Sequence, residues 1–107
     1  MRLRHRGRDL VVAISGELDL WTAQTVRLTL RDAVPASGAR LVLDLSGVTT
    51  CDAAGLAVLV GELRRVPATG GATRLASPSP SVDQVLRATG MGRVVPVLSS
   101  VDEALSE

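Results

Sequence analysis

Residues 40–60 read RLVLDLSGVTTCDAAGLAVLV, and this stretch decides how the chain folds. Its first part, Arg40 to Leu45, is a short apolar run typical of a strand buried on both faces apart from Asp44, which belongs in the middle of a sheet. A helix from about Ala53 to Val66 is predicted to follow, because its leucines and valines recur at helical spacing. Asp52 is the predicted N-cap of that helix.

The rest of the chain alternates between predicted strands and helices around this unit. A turn at residues 6–9 joins two opening strands into a hairpin. Helix ends are indicated by Pro35, by Pro67 with the Gly70 and Gly71 pair, and by Gly90. The remaining predicted elements are strands over Arg2 to His5, Leu10 to Ser15, Thr73 to Ala76 and Val94 to Leu98, and helices over Thr22 to Val34, from the cap Ser79 to Gly90, and over Ser100 to Leu105.

This order of elements predicts an α/β fold. We expect one domain over residues 1–107, with a mixed sheet of four or five strands and about four helices packed mainly on one side. A chain of 107 residues with 46% hydrophobic residues is sufficient for a single core.

The composition also limits the chemistry. The chain has no lysine, tyrosine or phenylalanine, and it has one histidine, His5, and one cysteine, Cys51. Metal sites usually need three or four suitable ligands, and a hydrolytic triad would have to use His5 in a terminal strand. We therefore expect no enzyme activity, no catalytic residue, no metal and no cofactor.

Net charge and hydropathy argue against two further classes of partner. The formal net charge is +1, so no global field favours nucleic acid. No segment approaches the roughly 18 apolar residues that a membrane span requires. A single cysteine fits a reducing compartment. We expect a cytoplasmic protein that binds no nucleic acid and inserts into no membrane.

Arginines recur with period two at the start of the chain, at Arg2, Arg4, Arg6 and Arg8. In an extended strand this spacing places them on one face. They form either a solvated edge that resists aggregation or a basic arm for phosphates or lipid head groups. The absence of interleaved aromatic residues favours the solvated edge.

Two strand-to-helix junctions carry the candidate functional residues: GELDLWTA, residues 16–23, and TTCDAAG, residues 49–55. Such junctions often carry function because a helix N-terminus offers free N–H groups and positive potential. Capping by Asp52, and by either Asp19 or Thr22, is the structural alternative. Gly55 in a first helical turn costs up to about 1 kcal/mol relative to alanine, which indicates close approach by a neighbouring element or another protein.

The order of motifs along the chain resembles the STAS domain, named for sulfate transporters and anti-sigma factor antagonists. The motifs are GELD before a helix, LVLDLSGV, an Asp-x-x-Gly-Leu helix opening, a Gly-Gly turn, SPS before the next helix, and TGMGRVVPV. The resemblance covers about Leu10 to Leu105, and it is greatest to the small free-standing bacterial antagonists.

The resemblance implies regulation by partner switching. In this family the unphosphorylated antagonist binds an anti-sigma factor that is also a serine kinase, and this frees a sigma factor for transcription. Phosphorylation ends the interaction, usually at a Ser or Thr immediately after the Asp that corresponds to Asp52. This chain has Ala53 at that position and Ala54 after it, so the resemblance implies an antagonist that is not switched there.

Two alternatives to a constitutive antagonist remain open. In one alternative, Thr49 or Thr50 accepts the phosphate instead, although both are expected at the strand end rather than at the helix tip. In the other alternative the domain is an accessory subunit of a membrane lipid transporter, a class in which STAS domains also occur.

The predicted partner surface combines both junctions. Trp21 is either a hydrophobic staple over the first helix or an interface anchor, or both. Cys51 is either a small buried hydrophobe or a reactive thiol activated by the helix N-terminus. The predicted contact residues are Asp19, Leu20, Trp21, Thr22, Asp52, Ala53, Ala54, Gly55 and Ala57.

Overall fold

The computed structural model describes residues 1–7, 9–33, 40–68 and 72–106. Its elements alternate as the sequence pattern predicts. Their bounds are β1 (Arg2–Arg6), β2 (Asp9–Leu18), α1 (Leu20–Ala33), β3 (Arg40–Cys51), α2 (Ala53–Ala68), β4 (Ala72–Ala76), α3 (Pro80–Thr89), a 3₁₀ turn (Met91–Arg93), β5 (Val97–Leu98) and α4 (Val101–Ser106).

The five strands form one sheet in the order β1-β2-β3-β4-β5. β1 is antiparallel to β2, whereas β2, β3, β4 and β5 are parallel to one another. The predicted mixed sheet is therefore confirmed, with β3 at its centre. Parallel pairing brings the carboxyl ends of β2 and β3 to the same edge, from which α1 and α2 begin.

The core lies on both faces of the sheet. Leu41, Leu43 and Leu45 of β3 are buried in the main cluster, which α1, α2 and α3 cover. Val42 faces a smaller cluster on the other side, where α4 contributes Ala104. Three helices thus pack on one face and a short one on the other, as predicted. Asp44 is only half-buried, and its carboxylate accepts the N–H of Ser46 at 3.0 Å.

Both central strands run further than their apolar patterns predict. β2 continues beyond Ser15 to Leu18, and β3 continues beyond Leu45 to Cys51. The register between β2 and β3 shifts twice, between Ala13 and Ser15 and between Gly16 and Glu17. At the second shift Gly16 adopts a positive φ of 84°. Such bulges let a ladder continue past a glycine that, in sequence, indicates a strand end.

The end of α2 also differs from the prediction. Pro67 was expected to end the helix, but α2 continues to Ala68. Proline has no N–H to donate to the carbonyl four residues earlier, that of Leu63. The buried hydroxyl of Thr73 donates to that oxygen instead, at 3.3 Å. The other predicted stops, at Pro35, Gly70 and Gly71, lie outside the described residues.

The predicted strand over Val94 to Leu98 is mostly wrong. A turn at Val94 and a bend at Val95 follow the 3₁₀ turn, so β5 keeps only Val97 and Leu98. By contrast, α3 begins and ends as predicted. The hydroxyl of Ser79 accepts the N–H of Val82, and Gly90 adopts the left-handed C-cap conformation with φ 75°.

No helix among the described residues has the length and apolar character that crossing a membrane requires.

The central strand supplies a direct test of this core. We expect Leu43→Ala to lower the free energy of unfolding by roughly 2–5 kcal/mol, because it leaves a cavity under three helices. Leu28→Ala is the matched control, since Leu28 is 58% exposed on α1, and it should change the free energy by less than about 0.5 kcal/mol. Urea unfolding measures both values, and equal losses would contradict the assigned core.

Candidate functional site

The two junctions singled out in the sequence lie side by side. The last residues of β2 and β3, Leu18 and Cys51, are register partners. The N–H of Asp52 then donates to the carbonyl of Leu18 at 3.0 Å. Because α1 starts at Leu20 and α2 at Ala53, both helices begin at the same edge of the sheet.

Gly55 allows the two helix starts to approach closely. A Cβ atom on Gly55 would lie 2.7 Å from both the carbonyl carbon and the carbonyl oxygen of Asp19. Real Cβ atoms do not make such contacts with backbone, so only glycine fits at this position. Gly55 is buried, and the element that approaches it is the start of α1 within the same chain.

Asp19 and Thr22 form one reciprocal cap on α1. Asp19 Oδ1 accepts the Thr22 N–H at 2.8 Å, and the Asp19 N–H donates to Thr22 Oγ1 at 2.9 Å. This exchange is that of a capping box, with threonine in place of the usual acid. The hydrogen bond from the Thr22 N–H is the main cause that lowers the pKa of Asp19. The helix therefore begins two residues before the predicted Thr22.

Asp52 caps α2, as predicted. Its Oδ1 accepts the N–H of Gly55 at 2.6 Å, which satisfies one of the free donors in the first turn. In a first helical turn the N–H groups, here including those of Ala53 and Ala54, have no acceptor within the helix. Both alanines are exposed.

Eight of the predicted contact residues lie at or beside the starts of α1 and α2, and we name them together the helix-tip surface. Leu20, Trp21, Asp52, Ala53, Ala54 and Ala57 are exposed, whereas Asp19 and Thr22 are partly buried by their cap. Gly55, the ninth predicted contact residue, lies buried between the two helix starts. The surface combines apolar side chains with two capping carboxylates.

Trp21 does not act as a hydrophobic staple. Its side chain is 82% exposed, and the staple positions on either side of the cap belong to Leu18 and Ala23, which are buried. Trp21 borders a groove of about 320 Å³. The other residues lining that groove are Met1, Ile14, Ser15, Glu17, Thr22, Thr25 and Val26.

The two alternative hydroxyls lie in β3 and not at the helix tip. Thr49 and Thr50 are both exposed, and Thr50 is the register partner of Glu17. The carbonyl of Thr49 accepts the hydroxyl of Ser81 at 2.8 Å, which ties this part of β3 to α3. Ala53, in contrast, is the first residue of α2.

Cys51 is half-buried and packs against the main core cluster. Burial raises the pKa of its thiol, and the neighbouring negative charge of Asp52 raises it further. The thiol is therefore not activated by the helix start, and the structure favours the small hydrophobe. In the described ranges, no three His, Cys, Asp or Glu side chains are grouped to hold a metal ion.

Glu62 of α2 forms an ion pair with α1, and the sequence analysis did not predict this role. It is 6% exposed and pairs with Arg31 of α1 at 3.3 Å and with Arg65 of its own helix at 2.8 Å. Burial raises the pKa of Glu62, but hydrogen bonds and the charges of the two arginines outweigh burial and lower it overall. Its sequence signal was a carboxylate next to the inward-facing Leu63.

Two glycines of α2 give opposite predictions for the same substitution. Gly55→Ala should lower the free energy of unfolding by roughly 1–3 kcal/mol, because the new methyl group meets the Asp19 backbone. Gly61→Ala should raise it by about 0.5–1 kcal/mol, since nothing lies within 4 Å and alanine favours helix. Urea unfolding of both variants is the measurement, and stabilisation by Gly55→Ala would contradict the close approach.

Comparison with known proteins agrees with this geometry. The STAS domain family matches residues 1–104. The anti-sigma F factor antagonist of Paenibacillus polymyxa is 31% identical over 104 residues, which are 96% of this chain and 88% of that protein.

Solved structures show the same fold. An anti-sigma factor antagonist from Mycobacterium paratuberculosis superposes with a TM-score of 0.78 at 26% identity, over 98% of this chain and 89% of that one. The STAS domain of a SulP transporter from Vibrio cholerae has a TM-score of 0.72 at 21% identity, over 96% of this chain and 82% of that one. The chain belongs to the STAS domain family.

Proposed function

We propose that this protein is an anti-sigma factor antagonist, which binds an anti-sigma factor with a serine-kinase fold and thereby frees a sigma factor. The observation that carries the proposal is the helix-tip surface, where the starts of α1 and α2 pack together at Gly55 and leave Trp21 of α1 and the alanines of α2 exposed. The antagonist name of the similar proteins supports the same function.

The helix-tip surface has the properties of a protein-binding surface. Tryptophan is enriched among the residues that dominate binding energy, and Trp21 is 82% exposed. Ala53, Ala54 and Ala57 are exposed and carry no polar side-chain atom, so covering them desolvates no side-chain polar group. Their small size also lets a partner approach the start of α2 closely.

Alanine at position 53 removes the switch that a hydroxyl would provide there. A phosphoryl group adds a charge of about −2, which would repel Asp52 and disrupt a fitted interface. Ala53 has no oxygen that accepts phosphate, and Thr49 and Thr50 lie in β3, before the helix. We therefore propose that binding persists in the presence of the kinase activity and ATP.

The test combines one variant with a matched control. Purified anti-sigma kinases from the same genome are titrated into the protein, binding is followed by Trp21 fluorescence, and ATP is then added. We expect the natural chain to stay bound without a gain in intact mass. Ala53→Ser should gain one phosphoryl group and lose binding, whereas Ala54→Ser, with an equally exposed hydroxyl one residue later, should do neither.

Three results would contradict the proposal in different ways. Phosphate on the natural chain would show that another hydroxyl, such as Thr49 or Thr50, serves as acceptor. Unchanged binding by phosphorylated Ala53→Ser would show that the partner does not cover the start of α2. If no kinase binds, and a membrane-associated ATPase is recovered from native cells instead, the protein is a transporter accessory subunit.

A further inference from the structure

The outer edge of β1 is an open position in the sheet. β1 ends the strand order, and its pairs with β2 run from Arg2 with Ala13 to Arg6 with Asp9. All five residues of β1 are exposed. Among the described residues no strand pairs with the other side of β1, so its outward N–H and C=O groups are available to a further strand.

Three arginines line this open edge. Arg2, Arg4 and Arg6 alternate along β1 and therefore project from the same face, about 6.8 Å apart. Within the part of the chain that the structure describes, none of the three forms an ion pair. By contrast, Arg31 and Arg87 on helices and Arg40 on β3 each pair with a carboxylate.

The arginines face away from the helix-tip surface. Arg4 is the register partner of Val11, which belongs to the small cluster on the α4 side of the sheet. Arg2 and Arg4 border a shallow depression of about 120 Å³ that also includes Asp44. The Asp44 carboxylate accepts the N–H of Ser46, so it is directed to its own backbone and does not pair with these arginines.

This edge is unsuited to a second copy of the chain in the antiparallel register that would pair all of β1. If two β1 strands paired antiparallel about Arg4, Arg4 would oppose its own copy and Arg2 would oppose Arg6. Like charges placed directly opposite each other destabilise a strand pair. A strand with acidic residues at alternate positions would instead place a negative charge opposite each arginine.

We propose that the outer edge of β1 is a docking site for an extended acidic segment of a partner protein. The segment adds to the sheet as a further strand, and its alternate Asp or Glu side chains face Arg2, Arg4 and Arg6. Main-chain hydrogen bonds hold the segment, and the arginines select for acidic residues. This site does not depend on the proposed antagonist function.

Two features favour a polypeptide over other polyanions. Free edge-strand N–H and C=O groups match the backbone of an extended peptide, which nucleic acid and lipid lack. β1 also contains no Phe, Tyr or Trp on which bases could stack, and the imidazole of His5 alternates with the arginines and so lies on the opposite face of the strand. The charges are confined to one face of a strand, which fits the two-residue repeat of another strand.

The test uses a synthetic peptide about eight residues long in which Glu and Thr alternate. It is titrated into the ¹⁵N-labelled protein at low salt, and the chemical shifts and hydrogen exchange of the β1 amides are followed. We expect shifts centred on β1 and slower exchange of its outward amides. The same peptide with Gln in place of Glu should bind about tenfold more weakly or worse.

Variants of the protein provide the second half of the test. Combined Arg2→Gln, Arg4→Gln and Arg6→Gln should weaken binding of the Glu peptide about tenfold, since three opposite-charge pairs are lost. Arg64→Gln is the matched control, because Arg64 is an exposed arginine on α2 and should leave binding unchanged. The ¹⁵N spectrum of each variant verifies that the fold is retained.

Several outcomes would overturn the proposal. No binding of the Glu peptide would do so, as would binding without slower exchange in β1, because a strand has then not been added. Equal binding of a peptide with all its Glu residues in one block would reveal a general attraction to negative charge. Tighter binding to single-stranded DNA or to phosphatidylserine vesicles would assign the edge to a different class of partner.

Discussion

The packing of Gly55 against the backbone of Asp19 is the constraint on which the functional end of this protein depends. Parallel pairing of β2 with β3 brings the two junctions to one edge of the sheet. Pairing alone does not determine how closely the first turns of α1 and α2 approach each other. The missing side chain at Gly55 lets α2 begin in contact with the cap of α1. Trp21 at the start of α1 and Ala53 at the start of α2 therefore lie at the same edge of the sheet.

The hydrogen bonds that order the two helix starts do not involve the side chain at position 53. Both capping carboxylates are held by backbone N–H groups, Asp19 by Thr22 and Asp52 by Gly55, so the two helix starts are ordered without any partner. A hydroxyl at position 53 would add a chemical switch to this surface without being needed for its shape. Under the proposed function, Ala53 leaves this surface without such a switch.

The sequence predicted the elements well because apolar spacing and helix caps are local signals. The apolar run of β3, the Ser79 cap and the Gly90 stop are all determined by nearby residues. The failures have long-range causes. The extension of β2 and β3 depends on pairing through bulges, and the continuation of α2 past Pro67 depends on a hydroxyl from Thr73 in the next strand.

The candidate site divides in the same way. The identity of Gly55 and Asp52 was visible in sequence, whereas the partner of Gly55, the exposure of Trp21 and the buried Glu62 between two arginines were not. Each of these depends on how α1 and α2 pack together.

The most direct test is amide hydrogen exchange of the protein alone and with its anti-sigma kinase, before and after ATP. First-turn amides of a helix lack intrahelical acceptors and exchange fast when exposed. If the helix-tip surface binds the kinase, binding should slow exchange over residues 19–22 and 52–57, and ATP should not reverse this. Protection confined to other elements, or lost after ATP, would contradict it.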